Sequence, residues 1–233
     1  MGISQKRAHY VRLCAPILLE GTMPNFDRKN HWETIYQTKQ LNEVSWYQAI
    51  PQTSLNFFSE LEVPKNAKII DIGGGDSFLA DHLLDLGYQD ITVLDISSAA
   101  LERAKKRLGE RAGNIKWIVA DASCFEPAEK YDFWHDRAAF HFLTDENEIN
   151  GYINTAQQNI KANGILAIGT FSEQGPQKCS GIEITQYSEE TLTQRLKPFF
   201  NKISCSTVEH NTPFDTVQQF VFCSFRKIQD RNE

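Results

Sequence analysis

The sequence predicts a doubly wound α/β fold with a mostly parallel sheet, and three observations lead there. Strand-like apolar runs alternate with helical patterns between Ala67 and Phe171, Gly73, Gly74 and Gly75 follow the first run directly, and an aspartate stands at or near the end of each of the first three runs. At 233 residues, 41% of them hydrophobic and 23% charged, the chain is long enough to bury the core of one such domain.

Before the core, Trp32, Ile35, Tyr36, Leu41, Val44, Trp46, Tyr47, Ile50, Leu55 and Phe58 recur at helical spacing with a break at Pro51, which predicts two short helices. Ala67 to Ile72 is the first strand, Phe78 to Leu86 a helix ended by Gly87, and Ile91 to Leu94 the second strand. Ser98 to Leu108 is helical, with Ala99, Leu101, Ala104 and Leu108 on one side, and GERAGN stops it. IKWIVAD (115–121), YDFWHD (131–136) and GILAIGTF (164–171) supply three further strands, with a helix over 146–161 before the last. KISCSTVEH and QQFVFCSFRK form a closing pair of strands joined by NTPFD. The resulting layout is an N-terminal arm at 1–29, one domain at 30–228 that begins with a helical lid at 30–60, and a tail at 229–233.

A net charge of −6 and a pI near 5.6 argue against a broad grip on nucleic acid, which needs clustered Lys and Arg. No apolar run approaches the roughly 20 residues of a membrane span. The five cysteines, Cys14, Cys124, Cys179, Cys205 and Cys223, are scattered without a CxxC pair, which predicts free thiols in a reducing cytoplasm. The six histidines lack paired spacing with a carboxylate, so no metal is expected. A monomer or homodimer is expected.

In doubly wound sheets the ligand sits beyond the carboxyl ends of the strands, where the first strand-to-helix turn must let backbone come close. The dinucleotide form of that turn, G-x-G-x-x-G, holds a pyrophosphate on a helix N-terminus. Here the turn reads DIGGGDS, and Asp71 and Asp76 would repel a diphosphate. Acids in this place suit a ligand with a positive centre. S-adenosylmethionine, with a sulfonium and an ammonium group and no phosphate, fits. Asp95 closes the second strand, where a carboxylate accepts both ribose hydroxyls, and Asp121 follows the third, placed for the adenine amino group. The plainer reading of each acid alone is a helix N-cap, and it is poor for the set.

The segments IIDIGGGDS, VLDIS, VADAS and YDFWHDRAAFHFLT resemble the ordered motifs of the class I S-adenosylmethionine-dependent methyltransferases over roughly Asn30 to Arg226. The third glycine of the commonest motif is replaced by Ser77. The resemblance implies a seven-stranded sheet with an antiparallel final hairpin. It also implies that Asp71, Gly73 and Gly75, with Gly74 between them, meet the methionine moiety. Asp95 and Ile96 would meet the ribose, and Asp121 and Ala122 the adenine. DRAA is locally similar to thiopurine-type and lysine-directed members. A lid over the cofactor is common in such families, so Trp32, Tyr36 and Trp46 are candidates to cap the sulfonium with an aromatic face, against the plainer reading of a helix stripe packed on the sheet.

Methyl transfer is an in-line displacement at an activated carbon, so the protein supplies orientation and, for weak nucleophiles, a base. Asp136, His135 and His141 are the candidates for that base or for orienting a nucleophile, and Arg137 for pairing a substrate carboxylate. A structural Asp136–Arg137 ion pair is the plainer alternative. His135 also neighbours the cofactor. Cys179, Ser180 and Gly181 after the fifth strand, and His210 and Thr212 between the last strands, are candidate pocket residues. The leading expectation is a methyltransferase acting on a small molecule or a protein side chain. Protein lysine N-methylation, an NAD-dependent oxidoreductase and a non-catalytic S-adenosylmethionine-binding protein are the alternatives.

Overall fold

The computed structural model describes residues 26–229. Most of the expected arm, Cys14 within it and the tail from residue 230 lie outside the described residues. Helix α1 (Arg28–Thr38) starts inside the segment expected to be arm, capped by Asp27, whose side chain accepts the Asn30 amide. A short 3-10 turn (Leu41–Glu43) and α2 (Gln52–Glu60) complete the lid region.

Strands β1 (Lys68–Ile72), β2 (Asp90–Asp95), β3 (Ile115–Val119), β4 (Tyr131–Arg137) and β5 (Ile160–Phe171) alternate with α3 (Leu79–Asp85), α4 (Ser98–Leu108) and α5 (Glu146–Asn159). A small hairpin, β6 (Lys178–Cys179) and β7 (Ile182–Glu183), leads to α6 (Glu189–Leu196), β8 (Phe200–Asn211) and β9 (Val217–Lys227). The main sheet has seven strands in the order β3-β2-β1-β4-β5-β9-β8. β1 to β5 pair in parallel, and β9 is antiparallel to both β5 and β8.

Strand periodicity sorts the core onto two faces. Ile70, Ile72, Trp134, Leu166 and Ile168 pack with Tyr152 and Ile153 of α5 and Leu192 of α6. Ile69, Phe133, Ile165 and Ala167 pack with Phe57 and Phe58 of α2 and Leu79 and Leu83 of α3. Helix α4 follows from its sequence: Ser97 accepts the Ala100 amide at the N-cap, Lys105, Lys106 and Arg107 occupy the last turn, and Gly109 stops it with φ +59°.

Two expectations are corrected here. β5 begins at Ile160 rather than 164, because the chain re-enters the sheet opposite Tyr131 and absorbs a register shift between Tyr131 and Phe133. Cys205 and Cys223 are not free thiols: they face each other across β8 and β9 in direct register, 4.1 Å apart at Cα, and form a disulfide. The cysteine-based ground for a reducing cytoplasm falls with them. Among the described residues no helix is long and apolar enough to cross a membrane, and no group of three or more candidate metal ligands is present.

Candidate active site

The carboxyl ends of β1 to β5 open into one cleft with about 1080 Å³ of atom-free space, its open mouth included. Over β1 to β3 its wall carries Asp71, Gly73, Gly74, Asp95, Ile96, Asp121 and Ala122, seven of the predicted cofactor residues. The glycine turn is tight for internal reasons as well. Gly73 has φ +64°, and a Cβ there would sit 2.6 Å from that of Ala139. Gly75, at φ +49°, is covered by Tyr36, whose Oη would lie 2.7 Å from a Cβ, so it supports the lid and is not part of the cleft wall.

The three acids are held differently. Asp71, buried, accepts a 2.7 Å hydrogen bond from His135 Nδ1, and His135 Nε2 meets Ser54 Oγ at 2.9 Å. Asp95 accepts the Ser97 amide at 2.8 Å, yet burial, with Asp76 and Asp71 nearby, pushes its carboxyl up to about 7. Asp121 accepts the amide and hydroxyl of Ser123 and pairs at 3.3 Å with Arg28, which also reaches Glu148 at 2.7 Å. Asp76, expected to repel a diphosphate, turns away from the cleft and pairs with Arg103 of α4 at 3.1 Å. The negative potential comes from Asp71 and Asp95 instead.

The lid is fastened by its backbone carbonyls. Arg103 donates to Tyr36 O at 3.0 Å and Lys39 O at 2.7 Å, His210 Nε2 to Ser45 O at 2.6 Å, His82 Nε2 to Ala49 O at 3.0 Å, and Arg137 to Trp46 O. Glu33 on α1 caps α4, accepting from Ser97 Oγ at 2.8 Å, Ser98 Oγ at 2.9 Å and Ala99 N at 3.2 Å. These contacts bring Trp32, Tyr36 and Trp46 into the wall as a cluster, with ring centroids 5.7 Å apart for Trp32–Trp46 and 6.3 Å for Tyr36–Trp46. Phe142, which sequence reasoning did not single out, closes it at 4.9 Å from Trp32.

The half over β4, β5 and β9 departs from expectation. Asp136 does not line the cleft. It is fully buried, and its oxygens accept Ala139 N at 2.9 Å, Phe140 N at 3.1 Å and Tyr152 Oη at 2.6 Å, fixing the turn after β4. It is a positioning residue, with both oxygens hydrogen-bonded within the fold and no ion pair to Arg137. His141 does line the cleft, but its Nδ1 accepts the Phe171 amide at 3.2 Å and burial pushes its pKa down to about 3. The ring is therefore neutral with its proton on Nε2, which has no partner. It offers a donor where a base was expected.

Arg137 lines the cleft and gives its guanidinium to two neutral oxygens, Gln48 Oε1 at 2.6 Å and Trp46 O. Burial lowers its pKa to about 10. The Gln48 amide also donates to His210 Nδ1 at 3.0 Å, so His210 stands behind the wall and is linked to Arg137 through Gln48. Cys179 is in the wall with its thiol pushed up to about 11 by burial. Ser180 and Gly181 form the turn between β6 and β7, at φ +50° and +81°, outside the wall. Thr212 hydrogen-bonds Thr216 at 2.7 Å within the β8–β9 turn. Arg28, Gln48 and Ser54 were missed, because nothing local in sequence ties them to strand ends 93, 89 and 81 positions away.

A sheet of this order, with a glycine turn after β1 and acids at the ends of β1 and β2, defines a Rossmann-like fold whose ligand crevice lies beyond the carboxyl ends of the strands. Residues 69–164 match the family described as "Methyltransferase domain". The mouse (Mus musculus) eEF1A lysine and N-terminal methyltransferase is 29% identical over 136 residues, 57% of this chain and 19% of that protein. The malonyl-[acyl-carrier protein] O-methyltransferase of Acetivibrio thermocellus is 30% identical over 178 residues, 69% of this chain and 59% of that protein. The chain thus spans less than two thirds of either relative. The fold matches N-methyltransferase NodS from Bradyrhizobium japonicum WM9, solved with S-adenosyl-L-homocysteine, at a TM-score of 0.67 and 15% identity, over 87% of this chain and 100% of that one.

Proposed function

We propose that the chain moves the methyl group of S-adenosylmethionine to a small-molecule or protein side-chain acceptor. The observation that carries the reading is Asp95: even with the Ser97 and Gly75 amides as donors, burial holds its carboxyl up near 7, so the carboxylate is short of stabilising partners, and a ribose diol supplies two further hydrogen bonds. In this reading Asp71, Gly73 and Gly74 face the methionine end, Asp95 and Ile96 the ribose, and Asp121 and Ala122 the adenine. Trp32, Tyr36 and Trp46 face the sulfonium, whose charge suits aromatic faces.

When bound, S-adenosylmethionine supplies an already activated methyl carbon. The protein's work is to orient and to exclude water. His135 is fixed between Asp71 and Ser54, so it holds the floor of the cleft and leaves no nitrogen free for a substrate. The lid carbonyl contacts keep the aromatic cluster over the floor. Titration calorimetry with S-adenosylhomocysteine, followed by transfer of labelled methyl from S-adenosylmethionine, tests the reading. Binding of NADH in its place would favour an oxidoreductase, and tight S-adenosylhomocysteine binding without any acceptor would favour a non-catalytic binding protein.

The two relatives are named for different acceptors, amines in one and an acyl-carrier-bound malonyl group in the other. Lysine methylation places a cationic side chain in the cleft, and Arg137 in the acceptor wall counts against it.

A further inference from the structure

Resting on the methyltransferase reading, we propose that the acceptor is a carboxylate, received by the guanidinium of Arg137 and the Nε2–H of His141 and converted to a methyl ester. Two independent observations carry this. Arg137 is a half-buried cation in the cleft wall whose hydrogen-bond partners are both neutral, and among the described residues it forms no ion pair. The nearby buried carboxylate, Asp71, has an oxygen committed to His135. Asp71 attracts the guanidinium without forming an ion pair with it, so the cation keeps capacity for an anion that arrives from solution and meets it directly. His141, at 0% exposure, lines the same cleft and has a buried Nε2 with no hydrogen-bond partner. A guanidinium and a neutral N–H together suit an acceptor with two oxygens.

The side chains available for acid–base work agree. Asp136 has both oxygens occupied, His135 both nitrogens, and His141 its Nδ1. The Cys179 thiol is held protonated by burial. With Asp71 and Asp95 assigned to the cofactor, none of these groups takes a proton from an acceptor, so a nucleophile already deprotonated at neutral pH suits the site best. A carboxylate meets that condition, whereas an alcohol, a thiol or an ammonium group does not. One carboxylate oxygen bonds to the methyl carbon as the carbon–sulfur bond breaks, and that bond pair stays on sulfur. The products are a neutral ester and the thioether S-adenosylhomocysteine, and no proton is released.

The test incubates the full chain with methyl-labelled S-adenosylmethionine and a series of short- to medium-chain mono- and dicarboxylic acids, with matched amines and thiols. Methyl esters release volatile label in mild base, and N- and S-methyl products do not. In parallel, carboxylates of the series are titrated into the S-adenosylhomocysteine complex. Base-labile label and saturable carboxylate binding are expected. Arg137→Gln should lower transfer about a hundredfold and His141→Phe, which keeps the ring stack on Phe171, about tenfold. S-adenosylhomocysteine affinity, expected within about threefold of the parent for His141→Phe and within about tenfold for Arg137→Gln, which also frees Trp46 O of the lid, separates acceptor loss from misfolding. Arg137→Lys, which keeps the charge and loses the fork, should recover part of the activity. Base-stable label on amines or thiols, or a complex that binds no carboxylate of the series, overturns the proposal and leaves the methyltransferase reading standing. Failure of the parent chain to bind S-adenosylhomocysteine removes the reading beneath it.

Discussion

The two halves of the cleft are built in opposite ways. The half over β1 to β3 is made from short contiguous segments, each ending a strand, and it presents carboxylates: Asp71, Asp95 and Asp121. The half over β4, β5 and β9 is assembled from Arg137 at the end of β4, held from behind the wall by Gln48 of the lid, His141 after β4, and Cys179 in a small hairpin, and its charged group is a cation. On the function and the carboxylate acceptor proposed above, the difference assigns the reactants. A ligand with a positive centre is drawn to the acidic half, an anion to the other, and the lid aromatics meet both at the seam.

The division is sharpened most by removing an acid. Asp95→Asn should cost roughly two orders of magnitude in S-adenosylhomocysteine affinity by calorimetry, because hydrogen bonds to a charged group are worth about 1.5–3 kcal/mol each. Circular dichroism should show the fold retained. Reducing the Cys205–Cys223 bridge should act on the other half: closing a loop of 18 residues is worth about 3 kcal/mol on the chain-entropy account, so the thermal midpoint should drop with cofactor affinity little changed. A cofactor affinity that fell in step would show the halves to be one unit.

Acidity provides a third probe. Asp95 has its folded pKa raised to about 7, so between roughly pH 4 and 7 the native chain holds a proton that the unfolded chain has lost. Stability of the ligand-free protein should therefore fall as pH rises through that window. A diol that donates to the carboxylate favours the deprotonated form, so S-adenosylhomocysteine affinity should rise about tenfold per pH unit up to 7 and then level. Asp95→Asn should flatten both profiles. Trp46→Ala should weaken binding several-fold, in keeping with about 1 kcal/mol for an aromatic face on a cation. Glu33→Gln should have the smallest effect, about 1 kcal/mol of stability from the weakened cap of α4, read as a lower thermal midpoint.

The same contrast explains what was legible. Strand and helix order, the glycine turn and the acids at strand ends could be read because period-2 and period-3.6 patterns and turn residues are local signals. The acceptor half could not, because its meaning depends on which atoms are already taken. Asp136 and His141 have the residue types of a general base, and only their hydrogen bonds to the 138–140 turn and to β5 show one to be a cap and the other a donor. Gln48 carries no motif, yet it joins Arg137 to His210 across 89 and 162 positions of sequence. The cysteine reading failed for a related reason: scattered spacing says nothing about register, and β8–β9 pairing sets Cys205 opposite Cys223.

The measurement closest to the central claim is titration of the parent chain and Asp95→Asn with S-adenosylhomocysteine at pH 8, with NADH in parallel. Micromolar binding of S-adenosylhomocysteine that weakens by roughly two orders in the variant, with none for NADH, is the predicted result. Equal binding in both proteins, or binding of NADH instead, would contradict the assignment of the acidic half to S-adenosylmethionine.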